Sequence, residues 1–364
     1  MKKTLVSAAI CLTFSGAHAA SLDDIKISGF GSVAVGKSNN DVGYAGYTSE
    51  RWDVSQDTLA GIQLDVKIND KAKFVTQVVS NARYDYDLSV EMAYVSYDFG
   101  LLTARLGKLR TPMFMYSDYL DVGYAYPMLR PSQELYENLI ISSYTGMDLL
   151  IPIEFDDSSL VLQPIVGIGE VNERDSQFGK VTLDKMWGLT AHWYVGDFTF
   201  RGSYVTATTS YNSPDEVAYI ENMLDNQKGQ FISLGMQYDN GDMLAMVELA
   251  DTSLEGEFSD TLSASGLFGY RFDNVMPYLM VNWVKTTDND ERDFSPYAPL
   301  FNFERMAYSI GTRWDFAKSM AFKVDLTYAD YQDTSGGFVN NIGAAGNFIE
   351  ADSLVYSAAV DFVF

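Results

Sequence analysis

The chain has 364 residues, 47% of them hydrophobic and 14% aromatic, with a formal net charge of −24. So acidic a chain offers no basic face to nucleic acid. With one cysteine and two histidines it holds no disulfide framework and no thiolate metal cluster, and neither cofactor nor metal is expected.

The first element is an address. Lys2 and Lys3 precede an apolar run from Leu5 to Phe14, and Ala17, His18 and Ala19 put small residues where a signal peptidase reads. Residues 1–19 are expected to be a secretory signal peptide and residues 20–364 a single domain. The apolar run is too short to span a bilayer as a helix, and Ile10 before Cys11 speaks against lipidation there. Removing the signal takes away Lys2, Lys3, Cys11 and His18. The 25 basic residues less those two lysines, against 49 acidic ones, leave a net charge of −26 and one histidine, His192.

Beyond residue 19 no apolar run approaches the length of a membrane helix, so the apolar content must be carried in another way. It alternates. In WGLTAHWYV, Trp187, Leu189, Ala191, Trp193 and Val195 share one face, with Gly188, Thr190, His192 and Tyr194 on the other. Gly196-Asp197 then reads as a tight turn into FTFRGSY, completing a hairpin. The pattern predicts strands near 25–36, 59–68, 72–82, 88–99, 101–109, 139–153, 158–169, 181–195, 198–207, 230–238, 243–251, 261–272, 275–285, 304–316, 320–329 and 353–364. The polar faces carry Arg, Lys and Asp, and the apolar faces carry Trp and Tyr near their ends, as lipid-facing strands do.

The connections sort into two sets. Short ones fall at 69–71, 100, 156–157, 196–197, 239–242, 273–274 and 317–319. Longer ones fall near 37–58, 83–87, 110–138, 170–180, 208–229, 252–260, 286–303 and 330–352. Sixteen strands with tight turns on one rim and longer loops on the other predict an all-β fold: a transmembrane, up-and-down, antiparallel β-barrel. In the final stretch, SLVYSAAVDFVF, apolar side chains alternate as far as Phe364, as expected of a strand that pairs with 25–36 and leaves no open edge in hydrocarbon.

The connection after the fifth strand, about 108–138, reads KLRTPMFMYSDYLDVGYAYPMLRPSQELYEN. It is dense in aromatics and broken by Pro112, Pro127 and Pro131, so it needs a surface to lie on, and the inner wall is the one available. This strand count, this loop order and this terminal strand, running from KISGFGSVAVG (26–36) through AYVSYDFGLLTARLGKLR (93–110) to Phe364, resemble the Gram-negative outer-membrane porins. The resemblance implies an outer-membrane location in a bilayer with lipopolysaccharide, a homotrimer, a loop folded inward to narrow the channel, and passive diffusion of ions and small hydrophilic solutes. The Pro-Glu-Phe-Gly-Gly-Asp run that some members carry in that loop is absent here.

Candidates for the narrow zone are Arg110, Asp118, Asp121, Arg130 and Glu134. Alternation points Lys26, Lys73, Arg105, Arg201, Arg271, Arg305, Arg313 and Lys323 inward. Opposed charges across a pore set up a transverse field that orients polar solutes; the plainer reading is a set of salt bridges tethering the loop to the wall. The loop tyrosines either stack sugars or pack the loop down. His192 faces inward as a pore residue or, on a second reading, as the base of a barrel hydrolase. In TTDNDERDF, Asp288, Asp290, Glu291 and Asp293 lack the glycine of an EF-hand loop and read as a solvated loop. A short helix is expected over 213–225. A channel selective for one solute class, or a surface receptor acting through its loops, are the alternatives to passive diffusion. The excess of acid predicts modest cation preference.

Overall fold

The computed structural model describes residues 24–136, 141–172, 180–212, 224–256, 259–291, 302–332 and 352–364. The signal segment, nearly all of the expected helix over 213–225, and Asp293 lie outside them. Sixteen strands occur. They are β1 Ile25–Ser38, β2 Leu59–Lys67, β3 Ala72–Asn81, β4 Leu88–Asp98, β5 Thr103–Arg110, β6 Ser143–Glu154, β7 Ser158–Asn172 and β8 Lys180–Val195, then β9 Phe198–Asn212, β10 Gln227–Asp239, β11 Met243–Leu254, β12 Thr261–Tyr270, β13 Val275–Thr286, β14 Glu304–Ala317, β15 Met320–Asp330 and β16 Ser353–Val363. Each pairs antiparallel with its neighbours in sequence, and β16 closes on β1.

Register follows alternation. Opposite residues of an antiparallel pair share a face, so the pairing of Ala191, Gly202, Leu234 and Leu249 carries one outer row around four strands. The outer face stays exposed: Leu106, Leu234 and Ile310 are each more than half exposed. Exposed apolar surface on this scale suits hydrocarbon and not water. Near the short turns the outer face carries paired rings, Tyr97 with Phe99, Tyr270 with Phe272 and Trp314 with Phe316. A second set, Trp187 with Tyr204 and Tyr308 with Tyr328, lies further along the strands. Trp193 and Trp187 stand six positions apart on β8, roughly 20 Å of strand, close to the height of a lipid-facing band between aromatic girdles.

The seam is made by close approach. Gly29 exchanges both backbone hydrogen bonds with Phe364 at 3.0 Å, and a Cβ on Gly29 would sit 2.3 Å from the Phe364 ring. The absence of a side chain there lets the terminal ring lie flat on β1.

The strands run a little longer than alternation predicts toward the long loops: β1 reaches Ser38, β9 reaches Asn212 and β10 begins at Gln227. Thr and Ser there blur the apolar count while keeping the backbone ladder. β12 stops at Tyr270, short of the expected 272, because Phe272 and Val275 close a tight turn around Asp273, whose φ is +53°.

Candidate functional site

The inner face meets the segment 111–136, which leaves the end of β5 and bonds to wall residues far around the barrel. Its start is fixed by hydroxyls: Thr190 and Ser203 both donate to the Pro112 carbonyl, at 2.8 and 2.9 Å, and Ser233 donates to the Met113 carbonyl. The Met115 amide donates to the Glu248 carboxylate at 2.8 Å. Around these bonds two apolar clusters form. Met113, Phe114 and Leu135 pack with Ile165, Met186 and Phe231; Met115, Tyr116, Tyr126 and Met128 pack with Leu244, Met246, Leu267 and Met280. Glu248 apart, the inner face of β11–β13 is apolar where the segment lies on it, whereas the sequence put Arg, Lys and Asp on the polar faces. Methionine suits this role because its flexible thioether fills irregular gaps.

Further along, the wall supplies cations. Lys323 is completely buried; its ammonium donates to the carbonyls of Gly123, Tyr126 and Met128 at 2.7, 2.8 and 2.8 Å and lies 2.8 Å from Asp361. Arg313 donates to the carbonyls of Tyr124 and Tyr126 and pairs with Asp315 at 2.8 Å. These carbonyls belong to a stretch with few backbone partners of its own, so wall cations supply the bonds that a helix or strand would have made.

Beyond Pro131 the segment is bonded again. Glu134, fully buried, lies 2.8 Å from Arg305 and accepts from the Tyr44 hydroxyl at 3.1 Å. Arg130 pairs with Asp57 at 2.9 Å and donates to Ser357 at 2.9 Å. Burial works against the Arg130 charge, but Asp57, Tyr47 and Asp325 together outweigh it and hold the guanidinium above its ordinary value. Tyr44 and Asp57 come from the connection 39–58. The sequence places that connection among the external loops, yet Val42, Tyr44 and Tyr47 pack on Ala307, Ala329, Tyr331 and Val355. Apolar side chains this close to a strand end have the same need of a surface as those of 111–136.

The remaining candidates fall as follows. Arg110 is buried beside Asp121 and lies 3.3 Å from Glu91. Arg201 is buried, with Asp118 at 3.4 Å. Arg105 grips Asp148 with two nitrogens, at 2.8 and 2.5 Å. Arg271 grips Asp239 at 2.7 and 2.8 Å, at the short-turn rim. Lys26 and Lys73 are exposed and line a cavity of about 600 Å³ at the same rim, with Asp65 and Arg105. Six of the eight wall bases thus pair with an acid, and the pairs of Arg201 and Arg305 join wall to segment.

Of the loop tyrosines, Tyr116, Tyr126 and Tyr136 serve packing, and burial pushes their hydroxyls well above the ordinary range. Tyr119 stays 37% exposed; burial of its remainder and the nearby Asp118 push its hydroxyl up to about 12. Glu248, Asp361 and Tyr278 were not singled out from sequence. The same alternation that placed the bases inward puts Glu248 between Met246 and Ala250, and Asp361 opposite Val360 and Phe362; applying it to acids would have found both. His192 makes its hydrogen bond to Tyr194, at 3.5 Å. The hydroxyls of Thr190 and Ser203, on the same inner face of β8–β9, are committed to the Pro112 carbonyl.

No family model and no curated protein matches the chain. Solved structures do. OmpT, an outer membrane protein of Vibrio cholerae, is 13% identical with a TM-score of 0.59, covering 94% of this chain and 99% of that one. An anion-selective porin from Comamonas acidovorans is 13% identical with a TM-score of 0.60, covering 93% and 99%. OmpF of Salmonella typhi, in complex with daunomycin, is 15% identical with a TM-score of 0.57, covering 95% and 100%. The fold is that of the sixteen-stranded Gram-negative outer-membrane porins.

Proposed function

We propose that this barrel is an outer-membrane channel for passive diffusion of ions and small hydrophilic solutes, with the segment 111–136 setting its width. The observation that carries the reading is the two-faced wall: a continuous apolar exterior around an interior where buried Arg, Lys, Asp and Glu are bonded. Sixteen strands enclose a lumen wider than their own side chains fill. The segment occupies part of it and leaves polar vestibules such as the one beside Lys26 and Lys73. No chemistry is assigned to His192, and the reading is non-enzymatic. The Vibrio cholerae OmpT is described in a trimer form, and we extend a homotrimer in a lipopolysaccharide-bearing bilayer to this chain. Export would remove residues 1–19.

Reconstitution of the purified protein in a planar bilayer tests the reading. Stepwise, ohmic current is expected, from a protein whose N-terminal sequencing begins at Ala20 and which runs as a trimer in unheated detergent gels. Electrically silent membranes, with insertion verified by protection of the strands from protease, would overturn it.

A further inference from the structure

We propose that the cavity between the segment and the short-turn rim of β10–β14 is a binding site for a neutral, polyhydroxylated solute of mono- to disaccharide size. This rests on the channel reading and adds a solute class to it. The cavity measures about 370 Å³, within the range of small-ligand sites. One wall presents Tyr119 and Tyr124 from the segment; the other presents Gln237, Arg271 and Arg313.

Three properties point to a sugar-like ligand. First, the charges are settled before any ligand arrives. Arg271 is held by both oxygens of Asp239, and Arg313 pairs with Asp315 at 2.8 Å, so neither guanidinium offers a bare charge to an anion. Asp273 adds one further carboxylate at the mouth, which disfavours anions. Second, neutral hydrogen-bonding groups are left over. The hydroxyls of Tyr119 and Tyr124 and the amide of Gln237 make no hydrogen bond to any described residue. They offer both donors and acceptors, as a ring of hydroxyls requires. The Tyr119 hydroxyl, held neutral, remains a donor at any physiological pH. Third, the aromatic faces are held in place. Tyr119 meets Tyr116 edge-on at 5.7 Å, and Arg313 lies 4.6 Å from the Tyr124 ring centre. A fixed ring with an exposed face packs the apolar C–H side of a sugar at little cost in ordering.

The test uses the full-length channel in planar bilayers with maltose as probe and a polyethylene glycol of similar mass as viscosity control. Maltose added on the short-turn side should lower the current saturably, beyond the control. Tyr119→Ala and Gln237→Leu should each raise its half-saturating concentration, Tyr119→Ala by about tenfold, while Tyr119→Phe changes it less. Each variant is first shown to keep its heat-modifiable gel mobility, and the loss of current with maltose is expressed relative to that variant's own open-channel current. Equal loss of current with maltose and with the glycol, or an unchanged half-saturation in Tyr119→Ala, overturns the proposal. If the channel carries no current at all, calorimetric titration of the detergent-solubilised protein with maltose decides. Binding weakened by Tyr119→Ala keeps the site and removes only the channel, and no binding removes both.

Discussion

At the scale of single residues, the inner wall depends on a few buried ions, each with more than one partner. Lys323 is the clearest: one ammonium satisfies three carbonyls of the segment and neutralises Asp361, which also accepts from the Ser32 hydroxyl at 2.6 Å. Removing one member of such a group leaves the others buried and unpaired, a loss of about 3–5 kcal/mol. Lys323→Met should therefore lower the midpoint of denaturant unfolding in detergent and open the stretch 120–128 to protease. Lys323→Met combined with Asp361→Asn should recover part of that midpoint, because the orphaned carboxylate is gone, without restoring protection of the segment. Full protection in the single variant would mean that the apolar clusters, and not the ammonium, hold the segment down. Glu134 is a second such centre, where Arg305 and Tyr44 converge from opposite sides of the chain.

At the scale of elements, two connections and not one lie on the inner wall. Segment 111–136 lies across β8–β13 and then β14–β16, and 39–58 locks it through Tyr44 on Glu134 and Asp57 on Arg130. The strand that launches the segment has its own requirement. Gly107 on β5 sits at φ +141°, and a Cβ there would lie 2.3 Å from the Ala93 carbonyl oxygen and 2.7 Å from the Tyr94 Cα. Both obstacles are backbone and cannot turn aside. Gly107→Ala should cost about 1–3 kcal/mol of strain and reduce the folded fraction, read as loss of the unheated fast-migrating gel band. An unchanged band would show that β5 can shift on β4. Alternation is weak in just this region, where valines and leucines occupy both faces of β2–β6, and the wall there is shaped by close backbone approach as well as by side-chain pattern.

At the scale of the whole molecule, net charge and local charge compete. The net charge of −24, which the proposed removal of residues 1–19 would make −26, favours cations. The short-turn vestibule, though, exposes Lys26 and Lys73, which pair with no acid among the described residues. Much of the acidic excess stands on loops, screened beyond roughly 8 Å at physiological salt. A modest cation preference is expected from the reversal potential in a potassium chloride gradient, falling as ionic strength rises. Lys26→Glu with Lys73→Glu should strengthen it. Chloride preference in the unaltered channel would show that the vestibule lysines outweigh the loops.

Strand number, strand order and the outward direction of Trp187 and Trp193 were legible in the chain, because period-two alternation is local: each residue's face follows from its neighbour's, and a barrel adds only closure. The inward direction of the wall bases followed from the same counting. What the bases bond to did not. Lys323 and Gly123 are 200 positions apart, and Arg305 and Glu134 are 171 apart. Whether an inward charge faces water or a carbonyl depends on where an irregular segment comes to rest on the wall. No periodicity governs that placement. It was decided by the tertiary structure, where methionines and tyrosines of 111–136 and 39–58 found apolar patches on the inner strands and left the uncommitted hydroxyls of Tyr119 and Tyr124 facing a cavity.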